Sequence, residues 1–137
     1  MSDHLTLRVR TGTADRLERR AKATGTPART LAAIYVDEGL RRDDHPLIHF
    51  VAGETGRRAA LIGTGLDVWE AIECIRDNGN DVSAAAGYLG VSEGMLEAAV
   101  AYYGEFKDEI EAEIDLNRAE SAKALAQWQA GRAALAG

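Results

Sequence analysis

The stretch from His4 to Arg10 constrains the fold of this chain more than any other. Its apolar residues Leu5, Leu7 and Val9 alternate with polar ones, which is the pattern of a β-strand with one buried face. A single strand cannot form a sheet, and no second strand pattern follows nearby. We therefore expect this strand to pair with the same strand of a second copy of the chain.

Two helical patterns follow the strand. The first runs from an N-cap at Thr13 to a stop at Gly25, and the second restarts at Thr26–Pro27, a capping hydroxyl followed by the residue best tolerated at a first helical position. The second helix is apolar on nearly every side over Leu31–Val36, which is typical of a buried helix. Because about forty residues cannot bury such a helix alone, the pattern favours a dimer. A strand at the edge of one larger domain is the alternative.

Charge is divided unevenly along the chain. Residues 1–42 carry nine Lys or Arg and five Asp or Glu, a balance of +4. The net charge of all 137 residues is −6, so residues 43–137 carry −10. A small basic head on an acidic body indicates that the head is the part suited to DNA.

The composition also bounds the compartment. Apolar content is normal for a globular protein, no apolar run has the length of a membrane span, and the chain does not start with a basic and apolar leader. Cys74, the single cysteine, lies in a helical apolar pattern and is expected to be a core residue rather than a reactive thiol. We expect a soluble, cytoplasmic protein without disulfides, cofactors or membrane contact.

A second unit begins at about His45. Ile48–Val51 and Ala59–Ile62 are predicted strands, joined into a hairpin by turn residues at Gly53–Gly56. A capping-box pattern at Asp67–Glu70 then starts an amphipathic helix that ends at Asn78–Gly79.

Two further short helical patterns flank a glycine turn at Gly90–Ser92, which resembles a helix-turn-helix and, with the hairpin, a winged version of it. The second of these helices carries Glu93 and Glu97 and has no Lys or Arg before Lys107. A DNA groove would repel it, so we expect it to pack within the protein. The basic pair Arg57–Arg58 contacts either DNA backbone or, as is more common, a neighbouring acidic helix.

No catalytic or metal-binding pattern is found. His45 and His49 are four residues apart, but Pro46 interrupts the helix that would place them on one face, and no cysteine cluster completes a ligand set. The sequence contains no pairing of nucleophile and base and no paired carboxylates in a fixed frame. We expect neither a metal site nor an enzyme; a small enzyme or ligand sensor is a rival for which no site is found.

The segment from Gly104 to Gly137 is helical by composition. An apolar stripe over Phe106–Ile114 lies opposite a strongly acidic face, and past Leu116 it thins to Leu125, Trp128 and Leu135 among alanines. A weakly apolar, helix-prone tail of this kind either docks into the groove of a partner or packs on its own domain or dimer mate.

Two parts of the chain resemble known families. Residues 4–42 resemble the ribbon-helix-helix DNA-binding domain of bacterial antitoxins of the VapB type. Residues 45–115 resemble a winged-helix-like, antitoxin-associated domain of otherwise unknown function, through His45–Phe50, Gly56–Leu61, Gly63–Trp69 and Ala98–Tyr103. The resemblance implies a homodimer or tetramer that binds double-stranded operator DNA and a protein toxin, above all a PIN-domain ribonuclease.

The resemblance also implies DNA-contacting residues. In ribbon-helix-helix domains one strand from each subunit lies in the major groove, and by alternation the base-reading face here is His4, Thr6, Arg8 and Arg10. Arg8 is the strongest candidate, because a guanidinium can bond both acceptors of a guanine edge. The family holds a phosphate at the N-terminus of its second helix, which here corresponds to Thr26, Ala28 and Arg29. Pro27 donates no N–H, which weakens this anchor.

A PIN-type toxin would have an active site of acidic metal ligands, so an antitoxin cation inserted there would compete with the metal. The candidate toxin-binding residues are Leu125, Trp128 and Arg132, the last two being one helical turn apart. Arg118 and Lys123 are alternative cations.

The sequence thus predicts a mainly α protein with short β segments: a ribbon-helix-helix domain over residues 1–43, a winged-helix-like helical domain over 44–115 and a helical tail over 116–137. The predicted function is that of an antitoxin that represses its own operon and neutralises a cognate toxin. A stand-alone ribbon-helix-helix repressor without a toxin partner is the alternative.

Overall fold

The computed structural model describes residues 3–53 and 56–137. Within these residues it contains six helices and one antiparallel sheet of two strands, which confirms the prediction of a mainly α protein with short β segments. Contacts divide the chain into two units, Met1–Asp44 and His45–Gly137.

The first unit contains two helices, α1 (Thr13–Thr24) and α2 (Ala28–Asp44). The predicted stop at Gly25 is confirmed, since this residue takes a left-handed conformation (φ 66°) that favours glycine. The start of α1 differs by one residue from the prediction: Gly12 (φ 90°) occupies the cap position and Thr13 is already helical. The N–H of Thr13 donates to the carbonyl of Arg10 at 3.0 Å, and this turn requires the positive φ at Gly12.

The stretch from His4 to Arg10 has no regular secondary structure in the single chain, although its pattern predicts a strand. The N–H and C=O groups of a strand bond to a neighbouring strand, and the described part of the chain provides none beside this stretch. Leu5, Leu7 and Val9 are therefore 71%, 55% and 55% exposed. The predicted strand is therefore not formed within the described chain.

The helix α2 is less buried in the single chain than its sequence predicts. Leu31 is buried where α2 packs against Ala21 of α1, but Val36 and Leu40 are exposed. Two helices have only one neighbour each, which is too little to cover a helix that is apolar on several sides.

The second unit begins with the predicted hairpin, which is confirmed. Its strands are β1 (Ile48–Gly53) and β2 (Gly56–Leu61), paired from Ile48 opposite Leu61 to Gly53 opposite Gly56. The two central residues of the predicted turn, Glu54 and Thr55, lie outside the described residues.

Four helices follow the hairpin in the second unit: α3 (Val68–Asp77), α4 (Val82–Leu89), α5 (Glu93–Glu105) and α6 (Lys107–Ala136). Local side chains define three of the starts. Glu70 accepts a hydrogen bond from the N–H of Asp67 at 3.0 Å before α3, Asp81 caps α4 and Ser92 caps α5. The left-handed Gly90 (φ 70°) ends α4, so that α4 and α5 form the predicted pair of short helices around a glycine turn.

One core holds the second unit together. Tyr102 of α5 is fully buried, and the hairpin, α3, α5 and α6 contribute the other large buried side chains, Ile48, Leu61, Val68, Leu96, Ile110 and Ile114. Cys74 is half-buried against this core. The helix α6 continues without interruption past Leu116, so the sparse second half of the tail is an extension of a packed helix.

Among the described residues, no helix combines the length and the apolar character that crossing a membrane requires.

Candidate DNA-binding and partner-binding surfaces

The four predicted base-reading residues, His4, Thr6, Arg8 and Arg10, are all exposed in one continuous segment. This segment carries two cations and, after Asp3, no acid before Asp15. The apolar residues of the segment are exposed as well. The polar residues are therefore accessible to a ligand, and no part of the described chain covers the apolar ones. The four predicted base-reading residues are therefore exposed, but they do not lie in a strand in the described chain.

The predicted phosphate anchor is partly engaged within the protein. The backbone N–H of Thr26 donates to the carbonyl of Ala21 at 3.1 Å, where it completes the end of α1. The first N–H bonded within the following helix is that of Leu31, which donates to the carbonyl of Pro27 at 3.0 Å. Ala28 and Arg29 thus lie in the first turn of α2, where N–H groups point out of the helix end. Arg29 is exposed and Thr26 is half-buried. Because the backbone N–H of Thr26 already donates to Ala21, only the hydroxyl of Thr26 is left to donate a hydrogen bond to a phosphate.

Arg58 of the basic pair is engaged at the N-terminus of α3. Its Nε lies 2.6 Å from Oδ2 of the nearly buried Asp67, and the indole N–H of Trp69 donates to the same oxygen at 3.0 Å. Arg58 thus forms an ion pair through its Nε with a carboxylate of its own unit. The acidic partner is thus the helix-capping residue of α3, a neighbour that sequence spacing does not reveal.

Glu113 lies next to this cluster, and its carboxylate has a strongly raised pKa. Burial and, after it, the negative charges of Glu109 and Asp67 raise the pKa of Glu113 to about 7, while the positive charge of Arg58 acts in the opposite direction. Its Oε2 is buried and, among the described residues, has no hydrogen-bond partner. An unpaired buried carboxylate oxygen disfavours the charged form, which is the physical reason for the raised pKa.

A second ionic network ties α3, α5 and α6 together. Glu111 accepts hydrogen bonds from the guanidinium of Arg76 and from the hydroxyl of Tyr103, and these two donors lower the pKa of Glu111 to about 2. Arg76 also lies 5.5 Å from the centre of the Tyr103 ring. The acidic first half of α6 is thereby held against its own unit, consistent with a structural role for that charge run.

The two histidines that are four residues apart, His45 and His49, have different surroundings. The Nε2 of His45 lies 2.7 Å from a carboxylate oxygen of Glu105, and its ring packs edge-on against Tyr102. His49 lies in β1 opposite Ala60. Within residues 3–53 and 56–137, no three His, Cys, Asp or Glu side chains form a group that could hold a metal.

A cleft of about 520 Å³ lies between α3, α4 and α6, and we call it the acidic cleft. Three carboxylates of the exposed side of α3 line it, Glu70, Glu73 and Asp77. Two aromatic rings, Trp69 and Tyr88, stand at its walls with Leu66, Leu89 and the half-buried Cys74. No Lys or Arg of the described chain lines it. Tyr88 is 81% exposed, which is unusual for an aromatic side chain beside a cleft.

The second half of α6, residues 118–136, is exposed at every position, and we call it the tail. The three predicted toxin-binding residues lie on it: Leu125, Trp128 and Arg132. The guanidinium of Arg132 lies 5.1 Å from the centre of the Trp128 ring, so the two side chains form one surface, and Trp128 is 59% exposed. At the base of the tail, Nε of Arg118 pairs with Glu73 at 3.1 Å, which makes Arg118 an anchor of the helix.

Sequence reasoning did not identify the acidic cleft, Glu113 or the pairing of Arg58 with Asp67. Only one weak signal was present for the cleft: acids at positions 70, 73 and 77 share one face of α3 by helical spacing, with Trp69 next to them.

No family model, no curated protein and no solved structure matches this chain.

Proposed function

We propose that this protein is the antitoxin of a bacterial type II toxin–antitoxin pair, acting in the cytoplasm. As a homodimer it binds operator DNA through its first unit, represses its own operon, and holds a toxin, a PIN-type ribonuclease, through its tail. One observation carries the proposal: both ends of the chain expose amphipathic segments that nothing in the described chain covers, while the second unit between them has a complete core.

The first of these segments supports DNA binding. Leu5, Leu7 and Val9 alternate with Arg8 and Arg10 in a segment without secondary structure, which is what remains of a ribbon strand when its mate is absent. Pairing with a second copy covers the apolar residues and directs the polar ones outwards, into a major groove. The balance of +4 over residues 1–42 favours phosphate contact.

The second segment supports toxin binding. Trp128 and Arg132 form an exposed aromatic and cationic pair on a preformed helix, and such residues dominate the affinity of protein interfaces. Inserted into a cluster of acidic metal ligands, Arg132 competes with the metal and blocks the phosphate of the RNA substrate. When toxin binding holds several antitoxin dimers together, the avidity of these dimers for repeated operator sites rises, and this rise gives autoregulation of the operon.

Co-purification with the product of the neighbouring gene tests the antitoxin proposal. The full chain is compared with a chain that ends at Glu120, which keeps the pair of Arg118 with Glu73 and loses Leu125, Trp128 and Arg132. We expect a small partner to be retained by the full chain and lost from the shortened one. A partner retained by both places the toxin-binding surface in the second unit. If neither retains a partner, the stand-alone repressor replaces the antitoxin.

Point variants localise the toxin contact. We expect Trp128→Ala and Arg132→Ala each to weaken toxin binding by about 2 kcal/mol or more, because truncation of a central aromatic or arginine anchor has that effect. Lys123→Ala tests the alternative cation on the opposite side of the helix from Trp128 and is expected to change toxin binding little; a loss as large as that of Arg132→Ala would move the contact to that side. Neutralisation of the toxin by Arg132→Ala as complete as by the wild type would remove Arg132 from the proposal.

Titration on DNA upstream of the gene tests the base-reading strand. Arg8→Ala is expected to cost about 1–3 kcal/mol of specific binding while the dimer stays intact. Arg19→Ala, an equal loss of charge on an exposed position of α1, is expected to cost less and to act equally on all sequences. Equal affinities for Arg8→Ala and the wild type would exclude Arg8 as a base reader. Operator binding that tightens when the co-purified protein is added distinguishes an antitoxin from a plain repressor.

A further inference from the structure

The tail and the acidic cleft complement each other in chemistry. The tail carries no acid after Glu120, and its stripe combines Leu125 and Trp128 with the cation Arg132. The cleft has two aromatic rings, apolar walls and three carboxylates; Glu73 pairs with Arg118 and Glu70 accepts the N–H of Asp67, which leaves Asp77 as the carboxylate for a further cation. Each surface thus provides what the other lacks. We propose that the tail of one copy of this protein docks into the acidic cleft of a second copy.

The stripe of the tail continues a face that the helix buries elsewhere. Ile110 and Ile114 are fully buried against the core of the unit, and Leu125, Trp128 and Arg132 follow at spacings that keep them on the same side of α6. The same side of one helix is therefore covered by its own unit at the start and by nothing in the described chain at the end. A surface with apolar and aromatic groups is the cover that this stripe requires.

The cleft of the same chain cannot receive the tail. Asn117 of α6 is part of the cleft wall, and the helix runs unbroken from Lys107 to Ala136. Trp128 is eleven residues beyond Asn117, which at the rise of an α-helix carries it about 16 Å past the cleft. A helix that forms one wall of a cleft does not fold back into it without breaking, so the occupant comes from another copy.

Docking between two copies is reciprocal. Each copy offers one tail and one cleft, so a two-fold arrangement fills both and closes. In that arrangement Arg132 meets Asp77, beside Glu70 and Glu73 with their own partners, and Trp128 meets Trp69 and Tyr88, which lose their exposure. The interaction depends on opposite charges at a surface and is weakened by salt. It also hides the stripe that the proposed toxin contact uses, so toxin would bind by displacing the tail from the cleft; the docking itself does not rest on the antitoxin function.

The native thiol in the cleft allows a direct test with the full chain. Cys74 is the only cysteine, so Ala124→Cys adds a second thiol on the side of the tail that carries Trp128. With diamide as oxidant at mildly alkaline pH, we expect a disulfide between Cys74 of one copy and Cys at position 124 of the other. It is read as a covalent dimer on a non-reducing gel and as one cross-linked peptide by mass spectrometry. High salt added before the oxidant is expected to reduce its yield.

Matched variants make the test specific. Ala130→Cys places the new thiol on the opposite side of the same helix and is expected to cross-link about tenfold less. Arg132→Glu in the Ala124→Cys chain is expected to reduce the yield about tenfold, and Lys123→Glu to reduce it much less.

Four results would overturn the proposal. They are the absence of a peptide containing Cys74, equal cross-linking by the Ala130→Cys control, dimers that persist when Cys74→Ser is added, and a disulfide within one chain. The third would mean that two tails pack on each other. If Cys74 stays reactive in the free chain and is protected only when a co-expressed partner binds, the cleft belongs to that partner and not to a second copy.

Discussion

The two units of this protein differ in how far each completes its own core. The second unit buries large side chains from a hairpin and three helices around Tyr102. The first unit, in the described residues, buries only Ala21, Leu31 and Glu38, and leaves Leu7 and Leu40 exposed. The second unit thus closes its core within one chain, whereas the first leaves apolar side chains uncovered by the described residues, as the proposed dimer requires.

A substitution in the closed core of the second unit is expected to lower the free energy of unfolding more than any other change considered below. Leu96→Ala removes a fully buried side chain, and we expect the free energy of unfolding to fall by about 2–5 kcal/mol. Val100→Ala, at an exposed position one turn later in α5, is expected to cost less than about 1 kcal/mol. Urea denaturation followed by Trp fluorescence reads both values, since Trp69 packs on this core. Similar losses for the two variants would mean that the core around Leu96 is not closed.

A second effect tests the open core of the first unit. Leu7 makes few contacts in the single chain, where it is 55% exposed. We therefore expect Leu7→Ala to raise the dissociation constant of the dimer and to leave the unfolding free energy of the monomer unchanged. Removing most of a leucine that becomes buried on pairing is expected to cost about 2 kcal/mol, a rise of more than tenfold in that constant. Sedimentation equilibrium measures it.

Thr6→Ala is the control for Leu7→Ala, since alternation places Thr6 on the opposite face of the proposed strand. An unchanged dissociation constant of the dimer in Leu7→Ala would show that the first unit is not completed through this strand.

Sequence predicted best those parts of the fold that local chemistry determines. The hairpin from Ile48 to Leu61 follows from glycine turn residues between apolar runs, and the starts of α3 and α5 follow from side chains at Asp67 and Ser92 that bond within a few residues. Such contacts depend on neighbours in the chain. They can therefore be predicted from the sequence alone.

Features that depend on distant residues were not predictable in the same way. His45 pairs with Glu105 across sixty residues, and Arg118 pairs with Glu73 across forty-five. The acidic cleft exists only because α3, α4 and α6 meet. The strand pattern at His4–Arg10 is the converse case: the pattern is clear, but the described chain contains no strand that pairs with it.

The candidate site residues divide along the same line. Local spacing sufficed to place Trp128 and Arg132 together on one helix, and they are indeed 5.1 Å apart as ring and cation. It did not reveal that the N–H of Thr26 is already used by Ala21, nor that Arg58 is committed to Asp67. Their roles in binding DNA and toxin stay predictions.

The smallest expected effect concerns a flaw at the edge of the closed core. Burial raises the pKa of Glu113 to about 7, above the ordinary value of 4.5 that it has in the unfolded chain. Between these values the folded state holds a proton that the unfolded state has released, so stability falls as pH rises from about 4.5 to 7 and stays low above that. Because the side chain is partly exposed, solvent screens the shift, and we expect a loss of only about 1 kcal/mol.

Glu113→Gln is therefore expected to stabilise the second unit by about that amount at pH 8, and to leave its stability unchanged at pH 4, where the side chains of Glu113 and of its glutamine replacement are both uncharged. Glu120→Gln, at an exposed position of the same helix, is the matched control and should not change the pH dependence. Parallel stability curves for Glu113→Gln and the wild type from pH 4 to 8 would show that Glu113 is solvated, and that the core of the second unit is open at this edge as well.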